Sequence, residues 1–230
     1  MTRLLAIDCS AGACSVAVRD GATVLAAAHT AMERGHAEAL MPMVASVLAA
    51  AGLDWDRLDA VAATVGPGSF TGVRIGLAAA RGFALAAGLA TVPVTSLEAV
   101  AEAAGSGDGP LLVVLESKRR DLYGQWFDPA GGPLGAPQAA TPEVLWAARP
   151  SGMLLSGAAG VRVAGDAAAR LLAAPPEPAT ALRPAGDGGP DARSVAAVAL
   201  RRLAAAGAGP LAPLYLRPPD VTPPPAAAAS

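Results

Sequence analysis

Aromatic residues are scarce: Trp, Tyr and Phe together make up 3 % of the chain. Hydrophobic residues still reach 53 %, so Ala, Leu and Val must build the interior. Such a core depends on close backbone approach rather than on large side chains. Cysteine is nearly absent, and the single close pair Cys9 and Cys14 supports no disulfide framework. Both read as small buried residues in neighbouring strands. The two histidines, His29 and His36, fit neither H-E-x-x-H nor a Cys/His zinc spacing, so no metal site is assigned. A G-x-S-x-G elbow and a Ser/His/Asp set are also missing, and no catalytic residue is assigned. The formal net charge is −2, and no basic block or Lys/Arg stripe is read in the sequence. The chain is therefore not expected to grip nucleic acid on its own. Its first residues, "MTRLLAIDCS", do not form a signal peptide. Arg74 and Arg81 interrupt the longest Ala/Gly-rich stretch, so no membrane span and a cytoplasmic location are expected.

What is present reads as alternating strands and helices over 230 residues, enough for one large domain or two small lobes. Residues 3–10 are apolar, as a central strand requires. Asp20-Gly21 then marks a hairpin between two further strands. Residues 35–52 form a helix with Leu40, Val44, Val47 and Leu48 on one face and Gly52 to end it. Pro42 predicts a kink or a late start in it. A strand at 58–65, a helix from about 73 to 89 and a short strand from Ala90 follow. The order strand, hairpin, helix, strand, helix, strand matches a ribonuclease H-like lobe. It does not match a dinucleotide fold, whose glycine loop follows the first strand. Residues 102–110 are a turn-rich break, which divides the chain into lobes at 1–104 and 105–217. Within the second, 191–207 is a helix capped by Asp191 or Ser194 and closed by Gly207. Residues 218–230 are a Pro/Ala-rich tail, expected to be disordered.

The segment "VGPGSFTGVRIGLAAARGFA" (65–84) is a glycine loop running into a helix. It is not a Walker A motif, since no Lys lies near Gly72. It also misses G-x-G-x-x-G by one residue. Backbone N–H groups at a helix start, with Asp8, Ser10, Gly66, Gly68, Ser69 and Thr71, offer a site for an anion or a nucleotide. The spacing favours the other reading, a tight strand-to-helix turn whose glycines relieve crowding, since glycine loops without a full motif are common. Asp8 has the same two readings, as a holder of hydrated Mg²⁺ or as a cap on the first strand. In the helix itself Gly72, Gly76, Ala80, Ala84 and Gly88 recur every fourth residue and form a ridge of small residues. That ridge admits another helix closely, either in the same chain or in a partner.

The stretches "LAIDCSAGACSVAV", "RGHAEALMPMV" and "GPGSFTGVRIGLAAARGFA" resemble the TsaB (YeaZ) family, dimerisation subunits of the bacterial tRNA threonylcarbamoyladenosine synthase. The likeness runs over 3–100 and returns at 213–220. It implies an α/β actin-like ATPase fold of two ribonuclease H-like lobes. It also implies a non-catalytic role beside the paralogue TsaD, with TsaE and a TsaC-type enzyme, in modifying the adenosine 3′ of the anticodon. By the same resemblance His36, Leu40, Met43, Val44, Val47, Gly72, Val73, Gly76, Ala80, Phe83 and Ala84 line a helical interface with TsaD, or with a second copy when the chain is alone. tRNA is met only through the complex. No cofactor is held tightly, and ATP/ADP and Mg²⁺ enter only in the assembly. TsaD carries a metal-binding H-x-x-x-H after its glycine-loop helix; here Ser96, Leu97 and Glu98 stand without a His. Where the family tends to Asp-Ala-Arg and then Glu-Val-Tyr, this chain has Glu116-Ser117-Lys118 and Asp121-Leu122-Tyr123. The rival reading is a small Mg-ATP-dependent ATPase or kinase built on Asp8 and the glycine loop.

Overall fold

A computed structural model describes residues 1–150, 160–173 and 181–217; the 218–230 tail lies outside the described residues. The apolar run that begins the chain forms β1 (Arg3–Asp8), fully buried from Leu4 onward. β2 (Ala13–Asp20) and β3 (Thr23–Ala31) follow as a hairpin turned at Gly21, which takes φ +56°. Next come α1 (His36–Ala51), β4 (Ala60–Thr64), α2 (Phe70–Ala87), β5 (Ala90–Val94) and α3 (Ser96–Ala104). The sheet order is β3-β2-β1-β4-β5, with β1 to β3 antiparallel and β4 and β5 parallel to β1.

The second half repeats the scheme. β6 (Leu111–Glu116), β7 (Leu122–Phe127), β8 (Pro133–Ala140), α4 (Pro142–Ala147), β9 (Val161–Ala164), α5 (Ala168–Ala173), β10 (Leu182–Gly186) and α6 (Ala192–Ala206) succeed one another. The order β8-β7-β6-β9-β10 carries the same directions strand for strand. Two 3-2-1-4-5 units of this kind are a duplicated ribonuclease H-like lobe, the α/β architecture of the actin-like ATPase fold.

The two halves exchange their last helices. α6 covers the first sheet, its Val195, Ala196 and Ala199 packing on Leu4, Ala6 and Ala17. α3 instead packs Leu97, Val100 and Ala101 on Leu111, Val113 and Phe127 of the second sheet. The other face of the first sheet, Leu5, Ile7, Val16 and Val18, is covered by α1 and α2.

Local sequence explains the helix ends. α1 begins at His36 and runs unbroken past Pro42, so the proline delays nothing; its side chain is exposed in the second turn. Gly52 ends α1 at φ +64°, a left-handed cap that a side chain would disfavour. α2 starts earlier than the apolar spacing indicates, at Phe70, because the Ser69 hydroxyl accepts the Gly72 N–H at 3.3 Å and nucleates the first turn. By length and composition α2 is apolar enough to cross a bilayer in spite of Arg74 and Arg81. Its Gly72, Val73, Gly76, Leu77 and Ala80 face is nonetheless buried on the protein's own sheet.

Candidate functional site

At the carboxyl end of β1, in the middle of the sheet, the chain buries a carboxylate. Asp8 is fully buried. Its Oδ1 accepts from the Ser10 N–H at 3.1 Å, the Ser10 hydroxyl at 2.6 Å and the Thr64 hydroxyl at 2.6 Å. The Ser96 hydroxyl donates to Ser10 Oγ at 2.9 Å and extends the network to the start of α3. Oδ2 has no partner. Burial pushes the Asp8 carboxyl above its ordinary range, while the Ser10 and Thr64 hydrogen bonds pull the other way.

The sign of the pH effect follows. Below about pH 4 both folded and unfolded chains carry the proton. Above that the unfolded chain releases it and the folded one resists, so stability falls as pH rises until the buried group also ionises. Asp8→Asn keeps the Oδ1 acceptor and removes the charge. It is expected to be more stable than the parent at pH 7.5 by about 1 kcal/mol, roughly 2–4 °C in a chain of this size. The advantage should vanish near pH 4. Thermal melts followed by circular dichroism at the two pH values check this.

The glycine loop is pressed onto the two residues after Asp8. A Cβ on Gly68 would lie 3.1 Å from the Ser10 carbonyl carbon. One on Gly72 would lie 3.1 Å from that of Cys9, with the carbonyl oxygen nearer still in both cases. The Ser69 N–H donates to the Ser10 carbonyl at 2.7 Å, and the Gly66 carbonyl accepts from Ser96 N–H at 2.9 Å. Two donors of the loop and helix start, the Ser69 and Gly72 N–H groups, are therefore spent on the chain itself. On the opposite side Gly189 sits 3.4 Å, as a built Cβ would measure, from the Ala11 methyl and 3.8 Å from Asp166 Oδ2. Asp166 in turn accepts the Glu116 N–H at 2.8 Å and is pushed up chiefly by burial. This arrangement does not fit a phosphate cradle: the carboxylate that would face a hydrated Mg²⁺ has no access to solvent.

Of the anion-site candidates, Asp8, Ser10, Gly66, Gly68 and Ser69 come together, whereas Thr71 is exposed on the first turn of α2. Thr64 and Ser96, which no motif marks as site residues, complete the network. Thr64 is the one polar residue ending the apolar run of β4, which is the signal that sequence offered.

Most of the helical-interface set lies within the protein's own core. His36, Leu40, Val44, Val47, Gly72, Val73, Gly76 and Ala80 are buried. Met43, Phe83 and Ala84 are half-buried and packed against the same core. The small-residue ridge lies on β1: a Cβ on Gly76 would meet Cys9 at 3.7 Å and Ile7 at 3.8 Å. Over Gly72, Gly76 and Ala80 it brings helix to sheet, while Ala84 is half-buried and Gly88 exposed. Outward, the two neighbouring helices carry a different register. Ala37, Met41, Ala45 and Ala49 on α1, and Ala78, Gly82, Leu85 and Ala86 on α2, are all exposed, Leu85 at 88 %.

Paired ribonuclease H-like lobes, an aspartate ending the first strand and a glycine loop after the fourth define an actin-like ATPase-fold protein. The family model for TsaD, tRNA N6-adenosine threonylcarbamoyltransferase, matches residues 28–132. The chain is 43 % identical over 103 residues to the tRNA threonylcarbamoyladenosine biosynthesis protein TsaB of Haemophilus influenzae, covering 44 % of this chain and 42 % of that protein. It is 38 % identical over 124 residues to the protein of the same name from Escherichia coli, 53 % of each. The matches span about half the length of these curated relatives. The solved structure of YeaZ from Pseudomonas aeruginosa superposes with a TM-score of 0.80 at 26 % identity, over 94 % of this chain and all of that one. The chain is thus similar to TsaB (YeaZ) proteins over about half of its length in sequence and over nearly all of it in fold.

Proposed function

We propose that this chain is a non-catalytic scaffold that docks a TsaD-type paralogue through the outward faces of α1 and α2, and that the assembly, with TsaE, forms N6-threonylcarbamoyladenosine in tRNA in the cytoplasm. The observation that carries this reading is the pairing of an occluded Asp8 and glycine loop with an exposed two-helix apolar surface. The Asp8 corner is taken up by packing within the chain, while a face of mostly small and apolar residues, with Arg74 and Arg81 at its side, is left uncovered. The names of the similar proteins support the pathway. In this reading ATP and Mg²⁺ enter through the assembly, and two copies pair through the same helices when the paralogue is absent.

The test is reconstitution. Purified TsaC, TsaD and TsaE receive tRNA, threonine, bicarbonate and ATP, with and without this chain, and modified adenosine is read by nucleoside mass spectrometry. Modification only in the presence of the chain is expected. Equal modification without it would overturn the scaffold reading.

A further inference from the structure

The chain has no long basic run, yet the fold gathers cations at one edge of the second lobe. The loop between β6 and β7 reads Ser117-Lys118-Arg119-Arg120-Asp121, and its three consecutive basic side chains are exposed. The backbone beneath them is held firmly. Ser117 and Lys118 N–H groups both donate to Glu116 Oε1 at 3.1 Å, and the Ser117 hydroxyl donates to the Asp121 carbonyl at 2.6 Å. Arg170 pairs with Glu116 at 2.6 Å and donates to the Arg119 and Arg120 carbonyls at 3.3 Å each. Lys118 takes φ +60°, alone among the described non-glycine residues. A left-handed position favours glycine, so a lysine there costs backbone energy. The loop is built to present charge.

The patch extends onto the segment that follows α6. Arg217 pairs with Asp121 and lies over the Tyr123 ring, 5.4 Å from its centroid. Burial and then the nearby Arg119 charge hold its pKa below the usual guanidinium value. Two residues earlier Tyr215 is 47 % exposed; its hydroxyl accepts from Arg74 Nε at 2.8 Å, and its ring stacks with the exposed Phe70 at 5.7 Å. Acids beside the patch include Glu116 and Asp121, each ion-paired, Asp166, and Glu143, which feels the Arg120 charge; Arg119 is itself engaged within the chain.

We propose that this edge seats an RNA phosphate backbone on Lys118, Arg119 and Arg120, with an unpaired base stacking at Tyr215. Cations beside an exposed aromatic ring suit single-stranded or looped RNA better than an acidic protein surface, which has no base to stack. The identification of the RNA as the tRNA rests on the function proposed above; the surface itself does not.

The test uses the full chain and unfractionated tRNA in filter binding between 50 and 200 mM KCl. Binding should weaken with salt. K118A/R119A/R120A should weaken it tenfold or more at 100 mM KCl and reduce the log–log salt slope by about 2. Tyr215→Ala should weaken it about fivefold or more with the slope unchanged. K118G/R119Q/R120Q relieves the backbone at 118 and guards against misfolding; a thermal melt at least as high as the parent's, with the same loss of binding, is expected. Arg34→Ala with Arg57→Ala, exposed elsewhere, should bind as the parent does. Unchanged binding by both triple variants, no salt-dependent binding by the parent, or displacement of tRNA by poly-glutamate at equal charge would each overturn the proposal, the last in favour of an acidic protein. If the chain is required in the reconstitution while the triple variants bind normally, only this inference falls. If it is dispensable there while the triple variants lose RNA, the RNA seat stands and the scaffold role falls.

Discussion

Gly72→Ala is expected to destabilise the protein by about 3 kcal/mol or more, a fall of roughly 6–12 °C in Tm for a chain of this length. The added methyl would lie 3.1 Å from the Cys9 carbonyl carbon, with the oxygen closer, and both belong to backbone that cannot rotate away. Cys9 is itself fixed, buried between α2 and β2 with its Sγ 3.7 Å from that of Cys14. Gly76→Ala, four residues along the same ridge, is the control. Its methyl would meet Cys9 and Ile7 at 3.7–3.8 Å, an ordinary contact. Replacing a mid-helix glycine gains up to about 1 kcal/mol of helix propensity, so this variant should be as stable as the parent or more so. Denaturant melts of the two variants decide the point. Equal losses at both positions would mean that α2 does not lie on β1 as described.

That contrast shows where sequence reading reached and where it stopped. The strand and helix order was legible because the apolar runs and their breaks at Gly21 and Gly52 are local signals, and local signals point to the ribonuclease H-like scheme. The four-residue recurrence of Gly72, Gly76 and Ala80 was legible as a close-packing ridge. Its partner was not, because periodicity gives the face of a helix and not what covers it. With few large side chains in the core, a buried face and an exposed one look alike in composition: Ala80 is buried and Ala78 exposed, two positions apart. The Asp8 network was half legible. Ser10 follows it in sequence, but Thr64 and Ser96 are brought in by sheet order and by the start of α3. The cationic edge was half legible too: Lys118, Arg119 and Arg120 are consecutive in sequence, whereas Arg170 and Arg217 join them only through the fold.

The register of the helices also decides how the scaffold reading is best attacked. Replacing Gly76 or Ala80 by a bulky residue would damage the first lobe itself, since both face β1 or the core. Loss of assembly there would say nothing about an interface. Ala78→Glu with Leu85→Glu is the informative change. Both side chains are exposed, Leu85 at 88 %, and Glu is a good helix former, so the monomer should melt within about 0.5 kcal/mol of the parent. Two carboxylates placed on that face would carry their desolvation cost into the contact, beside Arg74 and Arg81 of the same helix. We expect the affinity for a TsaD-type paralogue to fall by about 100-fold or more, read by isothermal titration calorimetry, and modification in the reconstituted system to fall with it. Met41→Glu on α1, 53 % exposed, should act in the same direction, because α1 and α2 lie side by side and present one surface. A folded double variant that still binds the paralogue with parental affinity would move the interface off these helices, and the apolar stripe would then need another occupant.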